Sequence, residues 1–556
     1  MTNKCVSEGC LPVNGKSLEE ITREALEESK AALKNPYIFQ KPITNVAVIG
    51  AGPSGLCSAR HLKDLGFNVR VFERNSTVGG LWIYSQRAPP KPKIPSSRIT
   101  RETEKEALEL TSKEVQKRLY EMTPEVKDRL LNKCPPSACY RDLYTNTATD
   151  LSGFPDFPFP EGLPRFCPHH DVLHYIQDYA AKFDLLSLIE FDTSVDLVRK
   201  HPEDDQTWEL TLCKYEVYES GMVRETRWKE TFDAVVIANG CYQDPFVPDF
   251  KHLTEWNKLF PSKISHSKQF RQPEDFKDKN VLVIGGSISA IDIVRSLEGF
   301  AKTITMTLRG PFESLVPILN VIRSKIPKSV IIKPNIASFS NENDKVDGTI
   351  VFEDGTALDN IDHIIFCTGF MDRMPFLGDL VIEKGQLEEA NVFTTPRPIY
   401  DDDVPDSHVV KGPKVPLNVY REIFLMSDPT LTFVGISPYF VTWSHFDTQA
   451  QAVARVWSGH SYLPNKELMQ KFTSEHNSGL NPYELFNIDR RRREPYIVWL
   501  NYHEEEIQTD DTARLPKLEN YREDYEEEYQ KIAEIWGNIS DENFKRARAY
   551  INEHYL

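Results

Sequence analysis

Short runs of predominantly apolar residues recur along the chain, and each ends at a glycine or a turn. They lie at positions 46–49, within 232–240, within 280–286, at 363–367 and at 431–435. Runs of this length indicate parallel strands that are buried on both faces. Residues 194–212 and 226–232 instead alternate apolar and polar side chains, which predicts an antiparallel meander. The pattern as a whole predicts an α/β protein built on buried parallel sheets.

The first apolar run leads into a glycine-rich turn and then into a predicted helix. In this arrangement the first glycine permits a tight turn, the second lets the backbone approach a pyrophosphate, and the third allows close packing of helix on strand. The helix N-terminus then faces the anion. Glu73 follows the next predicted strand, where it can accept hydrogen bonds from both ribose hydroxyls of a dinucleotide. The turn residues predicted to bind this dinucleotide are Gly50, Gly52, Pro53, Ser54 and Gly55.

A second unit of strand, turn and helix is predicted at residues 280–297. Its turn departs from the pattern, because Ser287 stands at the second glycine position and Ala290 at the third, although alanine is tolerated there. The next predicted strand, 303–308, ends in Arg309 rather than in an acid. The residues predicted to bind the second nucleotide are Gly285, Gly286, Ser287, Ser289, Thr307 and Arg309.

The opposite charges after the two second strands imply two different nucleotides. Glu73 rejects a 2′-phosphate and suits FAD, whereas a guanidinium at Arg309 attracts the 2′-phosphate of NADPH. The alternative for Arg309 is a solvent-exposed surface residue. The simplest chemistry for the pair is hydride transfer from NADPH to FAD. In the loop after Glu73, residues Gly80, Leu81 and Trp82 are the candidate wall of the flavin site, with the indole as a flat apolar face.

Length and composition set further limits. A chain of 556 residues is long enough for two or three domains, and its net charge of −17 argues against a nucleic-acid partner. The nine cysteines are scattered, without a CxxC pair, which suits reduced thiols in a cytoplasmic protein. No stretch approaches the roughly 18 to 20 apolar residues that span a bilayer.

The predicted fold is α/β, with two Rossmann-like dinucleotide-binding domains, the NADPH domain being inserted in the FAD domain. The predicted division is a helical extension at 1–40, an FAD-binding domain at 41–243 and 360–469, an NADPH-binding domain at 244–359, and a helical extension at 470–556. The N-terminal extension carries a capping box of Ser17 and Glu20. An insertion at 85–139 is predicted to hold two helices, one beginning at Thr111 and one at Thr123, and packing is favoured over a lid. The charge runs at 490–493 and 523–528 are interpreted as solvent-exposed.

Three further motifs carry a resemblance to a known family. Residues 260–270 match the fingerprint FxGxxxHxxx(Y/F), with Ser262 in place of glycine; 143–146 read Leu-Tyr-Thr-Asn, and 367–370 read Cys-Thr-Gly-Phe. In this order, and over roughly residues 44–465, the chain resembles the flavin-containing monooxygenases, particularly the soluble fungal type. His266, within the fingerprint, is interpreted as a structural residue in the connection between domains rather than at a strand end.

The resemblance implies that NADPH reduces FAD, that O₂ adds to flavin C4a, and that the resulting hydroperoxide gives one oxygen to a nucleophilic nitrogen or sulfur. It places Asn146 beside the flavin and the bound nicotinamide as the catalytic residue, although a turn-capping asparagine is the alternative. Thr145, Tyr242 and Gln449 complete the expected cofactor contacts. The implied partners are O₂ and a small nucleophile such as a tertiary amine or a thioether, and the question of a homodimer stays open.

Three rival interpretations are weighed. A Baeyer–Villiger monooxygenase has a similar layout, but its fingerprint ends in tryptophan where this chain has Phe270. A pyridine-nucleotide disulfide reductase needs a redox dithiol beside the flavin, and the sequence has no such pair. A non-catalytic NADPH-binding flavoprotein stays open, because motifs report binding rather than turnover.

Overall fold

The structure is a computed structural model that describes residues 17–96, 114–313, 317–371, 373–383, 408–411, 418–436, 442–477, 489–507 and 514–519. The helices in these ranges are α1 (Leu18–Lys34), α2 (Pro53–Asp64), α3 (Pro124–Lys133), α4 (Thr149–Ser152), α5 (His169–Lys182), α6 (Leu253–Leu259), α7 (Ile288–Leu297), α8 (Pro317–Arg323), α9 (Trp443–Trp457), α10 (Lys466–Asn477) and α11 (Asp489–Glu506). The strands are β1 (Asn45–Ile49), β2 (Asn68–Phe72), β3 (Gln116–Glu121), β4 (Ile189–Glu190), β5 (Thr193–His201), β6 (Asp204–Val217), β7 (Met222–Phe232), β8 (Ala234–Ile237), β9 (Asp244–Pro245), β10 (Ile264–His266), β11 (Asn280–Ile284), β12 (Thr303–Thr307), β13 (Ile331–Lys333), β14 (Ile336–Ser338), β15 (Ile350–Phe352), β16 (Ala357–Leu358), β17 (His363–Phe366), β18 (Phe370–Met371), β19 (Val381–Glu383), β20 (Val409–Lys411), β21 (Val419–Tyr420), β22 (Phe424–Leu425) and β23 (Leu431–Phe433).

The first nucleotide unit lies in a seven-stranded sheet of order β21-β22-β23-β8-β1-β2-β4, whose strands from β23 to β4 run parallel. Successive residues of β1 point to opposite faces. Val46 and Val48 pack in the core with α2 and α9, whereas Ala47 and Ile49 pack in the core with β5 and β6. Burial on both faces explains why the predicted strands are apolar runs, and it confirms the buried parallel sheet.

The second nucleotide unit lies in a parallel five-stranded sheet of order β10-β17-β11-β12-β13. The predicted domain boundary between residues 359 and 360 is wrong, because β17 lies beyond it and pairs with both β10 and β11. His266 is also not in a mere connection, since it is the last residue of β10, an edge strand of this sheet. The other domain boundaries stay predictions.

The predicted meander is a four-stranded sheet of order β3-β7-β6-β5. Its edge strand β3 replaces the first predicted helix of the insertion, because Leu119 and its neighbours pair with the free edge of β7 through Arg224 and adjoining residues. Thr111 itself lies outside the described residues. The second predicted helix is confirmed as α3, where Thr123 Oγ1 accepts a hydrogen bond from Val126 N at 3.3 Å.

The N-terminal helix α1 is confirmed with its capping box, since Ser17 N donates to Glu20 Oε2 at 2.6 Å and Glu20 N donates to Ser17 Oγ. Arg493, within the first turns of α11, is only 1 % exposed, so the solvent-exposed interpretation of that arginine run is wrong at this position. The acidic run at 523–528 lies outside the described residues. Among the helices of the described ranges, none is both long enough and apolar enough to cross a bilayer.

Candidate active site and cofactor sites

The first glycine turn is built so tightly that side chains are excluded. A Cβ atom on Gly55 would lie 1.9 Å from Gly50 O, and a Cβ atom on Gly50 would lie 2.7 Å from Ala238 O. Gly50 also has a φ of 102°, which favours glycine. Pro53 and Ser54 open α2, whose N-cap is Gly52, without a side-chain cap. The open N-terminus of this twelve-residue helix is therefore available to an anion, as the sequence predicts.

The candidate flavin wall lies directly against this turn. A Cβ atom on Gly52 would be 3.6 Å from Gly80 Cα, and Gly79 N donates to Ala51 O at 3.1 Å. Gly80–Trp82 forms a short 3₁₀ helix, and the Trp82 ring packs edge-to-face on Trp443 of α9 with 6.4 Å between ring centroids. The structure thus brings the predicted wall residues to the glycine turn.

Glu73 lies at the end of β2 and is 5 % exposed. Its Oε2 accepts from Ala51 N at 2.7 Å, and its Oε1 accepts from both Asn75 N and Asn75 Nδ2. The carboxylate is therefore fixed beside the turn, and Oε2, which accepts a single hydrogen bond, retains a lone pair for a ribose hydroxyl. Its contact with the ribose stays a prediction.

Gln449 is buried where α9 faces the start of α2. Its Oε1 accepts from Gly435 N at 3.0 Å, and a Cβ atom on Gly435 would lie only 2.6 Å from Ser54 Cβ. Its Nε2 is buried and has no hydrogen-bond partner within the described part of the chain. An unmatched buried donor is costly unless a ligand satisfies it. This donor, the glycine cradle and the helix N-terminus together fit a flavin dinucleotide.

Asn146 is exposed, and its Oδ1 accepts a hydrogen bond from Thr147 Oγ1 at 3.3 Å. The backbone on either side is fixed, because Thr145 N donates to Cys167 O and His169 N donates to Leu143 O, both at 2.9 Å. The His169 ring also contacts Tyr84, two residues beyond the flavin wall, with 5.4 Å between centroids. The Leu-Tyr-Thr-Asn turn and the wall loop therefore meet at one buried histidine, whose backbone contacts the turn and whose imidazole ring contacts Tyr84.

That imidazole is neutral over the working pH range. Burial, and to a smaller extent the neighbouring His170, lowers the pKa of His169 to about 3. Its Nε2 donates to Arg141 O at 3.1 Å, which also requires no positive charge. This corner of the site accordingly supplies no imidazolium.

The second glycine turn is also packed tightly, although Ser287 and Ala290 stand at two of its glycine positions. Gly285 has a φ of 138°, and a Cβ atom on it would lie 2.3 Å from Cys367 O. Ser287 is the exposed N-cap of α7 and makes no side-chain cap bond, while Ser289, two residues further on, is also exposed. The hydroxyl groups therefore leave the helix N-terminus open to a phosphate despite the missing glycine.

The residues predicted to contact the cofactors in this region differ in their exposure to solvent. Arg309 lies two residues after the end of β12 and is exposed, as a phosphate contact requires. Thr307 is 1 % exposed and donates its hydroxyl proton to Pro334 O, and its contact with the cofactor stays a prediction. This hydrogen bond joins β12 to the segment after β13. Tyr242 is half-exposed and packs edge-to-face on Phe370.

Arg323, at the end of α8, is a residue of the second turn that sequence analysis missed. Its Nε donates to Gly286 O at 3.0 Å, and its NH1 donates to Pro311 O and Phe312 O. Burial lowers the pKa of Arg323, and its hydrogen-bond acceptors in the described chain are carbonyl oxygens. Arg323 is fourteen positions beyond Arg309 in the sequence, and no local sequence pattern indicates its contact with the second glycine turn.

We expect Arg309→Ala to raise the KM for NADPH by about 10- to 100-fold and to leave the KM for NADH nearly unchanged, because a guanidinium binds a phosphate through charge-assisted hydrogen bonds. Steady-state kinetics with both cofactors check this. The exposed Lys302→Ala variant, in the turn before β12, is the matched control. Equal use of NADH and NADPH by the unmodified enzyme would contradict the assignment.

Comparison with known proteins gives a consistent result. A flavin-binding monooxygenase-like family matches residues 132–318 and 317–396, and an NAD(P)-binding Rossmann-like domain matches residues 48–97. The flavin-containing monooxygenase ustF2 of Aspergillus flavus is 31% identical over 463 residues, which are 78% of this chain and 86% of that protein. The flavin-containing monooxygenase iboF of Amanita muscaria is 28% identical over 84% of this chain and 89% of its own length.

The fold agrees with solved structures. The S-allyl-L-cysteine S-oxygenase from Allium sativum superposes with a TM-score of 0.59 at 24% identity, over 92% of this chain and 98% of that one. Two glycine turns of Rossmann geometry, a neutral flavin wall and a relative of this identity and coverage all point to one assignment. This chain belongs to the flavin-containing monooxygenases and is an FAD-containing, NADPH-dependent monooxygenase.

Proposed function

We propose that this monooxygenase transfers one oxygen atom of O₂ to a soft nucleophile, the sulfur of a thioether or the nitrogen of a tertiary amine. The observation that carries the proposal is the neutral, aromatic surface beside the first glycine turn, where the Trp82 and Trp443 rings pack edge-to-face. Aromatic rings make favourable contacts with thioether sulfur, and they also pack against the alkyl groups of a neutral tertiary amine. The Allium sativum structure with this fold is named as an S-oxygenase, which supports the same class.

The cofactor supplies hydride acceptance and oxygen activation, so the chain needs no acid/base triad of its own. Its residues bind, orient and exclude water. The amide of Gln449 holds the flavin side of the site, Trp82 covers it, and neutral His169 fixes the turn that presents Asn146. Because His169 is neutral, this corner supplies no imidazolium that could protonate an oxygenating species prematurely.

The direct test offers the enzyme an aryl methyl thioether and a dialkylated aniline with NADPH in air. We expect sulfoxide or N-oxide in near one-to-one yield with NADPH consumed, measured by chromatography and by absorbance of NADPH. Conversion of a cyclic ketone to an ester, with neither sulfoxide nor N-oxide, would favour the Baeyer–Villiger alternative. NADPH consumption that no substrate accelerates would favour a non-catalytic flavoprotein.

We expect Asn146→Ser to keep bound FAD and to continue oxidising NADPH, but to release most of the oxygen as hydrogen peroxide. Shielding of the oxygenating species depends on fixed local hydrogen bonds, whereas hydride transfer depends mainly on stacking of the two cofactors. Peroxide and product are quantified per NADPH. Asn360→Ser, in an exposed loop, is the control, and an unchanged product yield in Asn146→Ser would reduce Asn146 to a turn residue.

A further inference from the structure

Arg271 directly follows the fingerprint segment, and its guanidinium is buried at 4 % exposure. NH1 donates to Cys139 O at 2.7 Å and to Ser85 O at 3.2 Å. NH2 donates to Ser137 O at 3.2 Å and to Lys268 O. One side chain thus joins the backbone of three segments that are far apart in the sequence.

A buried arginine is ordinarily paired with a carboxylate, because an unpaired charge is costly to desolvate. In the described part of the chain, Arg271 has four carbonyl acceptors and no ion pair. Burial lowers the pKa of Arg271, but a guanidinium stays charged in proteins. Its rigid fork of five donors is the feature that a carbonyl cluster of this shape uses.

The segments that Arg271 joins carry the flavin wall and the approach to the Leu-Tyr-Thr-Asn turn. Ser85 closes the wall loop. Ser137 Oγ lies 2.8 Å from both Leu81 O and Ile83 O, within the same loop. Arg271 therefore contacts the wall loop directly at Ser85 O. It also contacts this loop indirectly, through Ser137.

The segment that leads to Asn146 is held by the Arg271 guanidinium at Cys139 O and, independently of the side chain, by the Arg271 backbone carbonyl. Arg141 N donates to Arg271 O at 3.0 Å, and Arg141 O accepts from His169 Nε2. His169 N in turn donates a hydrogen bond to the carbonyl oxygen of Leu143, which is three residues before Asn146. Hydrogen bonds thus connect the fingerprint segment, the wall loop and the Leu-Tyr-Thr-Asn turn to one another.

We propose that Arg271 is a positioning residue of the oxygenation site, which fixes the wall loop and the Asn146 turn against the bound flavin. Its role is geometric, because the four carbonyl contacts need a planar fork and not merely a positive charge. Lysine can keep the charge but presents a single ammonium group to four separated oxygens. This proposal rests on FAD being bound at the first glycine turn, but it is independent of the substrate class.

The test measures FAD dissociation and NADPH oxidation without any oxygenation substrate, so that an error in the proposed substrate leaves it intact. Arg271→Met and Arg271→Lys are each compared with the holoenzyme by the fluorescence of released FAD and by peroxide formed per minute. We expect both variants to release FAD about tenfold faster or more, and to leak peroxide faster, because several hydrogen bonds to the wall are lost. Arg224→Met, which removes a surface pair with Glu216 on the meander, is the matched control.

Ser137→Ala keeps the proposal testable if Arg271 variants do not fold. It removes only the hydroxyl between Leu81 O and Ile83 O, and we expect the same two changes at a severalfold smaller size. Wild-type FAD release and peroxide leak in Ser137→Ala and Arg271→Lys would overturn the proposal. Full rescue by Arg271→Lys alone would also overturn it, because charge rather than the fork would then be the cause.

Discussion

Gly285→Ala is expected to retain FAD and to lose reduction by NADPH at ordinary cofactor concentrations. The added Cβ would lie 2.3 Å from Cys367 O, and the φ of 138° at this position is strained for alanine. Backbone carbonyls cannot move aside as flexible side chains do, so the turn itself must shift away from the phosphate position. An altered pyrophosphate site is expected to raise the KM for NADPH about 100-fold or more.

The measurement is anaerobic flavin reduction by NADPH in a stopped-flow instrument, followed as loss of the oxidised flavin absorbance. Gly153→Ala is the matched control, because its Cβ would meet no atom closer than 3.4 Å and its φ is ordinary. Gly55→Ala is the companion change in the first turn, where the expected loss is FAD itself. Normal reduction of Gly285→Ala by NADPH would show that the second turn does not hold the nucleotide.

His503 is expected to make the enzyme less stable in acid, because its imidazole is buried in the neutral form. Nε2 donates to Ser29 O at 2.8 Å and Nδ1 accepts from Tyr462 N at 3.0 Å, so both ring nitrogens are used by α1 and by the chain after α9. Burial lowers the pKa of His503 to about 4; the bond to Ser29 opposes this and the charge of Arg421 adds to it. A proton on Nδ1 would remove the acceptor.

Proton linkage gives the direction in which the stability changes with pH. Between pH 6.5 and about 4 the unfolded chain binds this proton and the folded chain does not, so stability is present above pH 6.5 and is lost as the pH falls. The free energy of unfolding is expected to fall by about 1.4 kcal/mol per pH unit in that window from this residue. His503→Gln removes the titration and is expected to flatten the dependence by that amount.

Urea unfolding at pH 7, 6 and 5 measures this slope. His201→Gln, at the end of β5, is the control, because its ring is at a hairpin rather than between helices. A slope in His503→Gln equal to that of the unmodified enzyme would show that His503 is not held neutral by the fold.

Features that depend on a few neighbouring residues are the ones that the sequence predicts well. The capping boxes and caps at Ser17 and Thr123, the strand ends at Glu73 and Arg309, and the turn at Gly50 all follow from backbone conformation and from contacts within one or two turns. The family motifs extend this reach, because the resemblance supplies FAD, NADPH and the class of chemistry without coordinates.

Features that depend on distant partners are those that only the tertiary structure decides. Strand β3 forms because β7 offers a free edge, although nothing within residues 116–121 requires it. The Thr307 hydroxyl donates a hydrogen bond to Pro334 O, and Arg493 is buried although its segment is strongly charged. In each case the satisfying group lies elsewhere in the chain, so no local pattern can reveal it.

The sequence by itself determined two glycine turns, their opposite charges and therefore the pair of cofactors. The tertiary structure decided the contacts around each turn: Gln449, which the family resemblance implies, has an unmatched amide N–H at the first turn, whereas Arg323 at the second turn and Arg271 beside the wall loop were not predicted. The physical reason is the same for all three. A turn is set by local backbone sterics, whereas the partner of a buried donor is set by which segments the fold brings within about 3 Å.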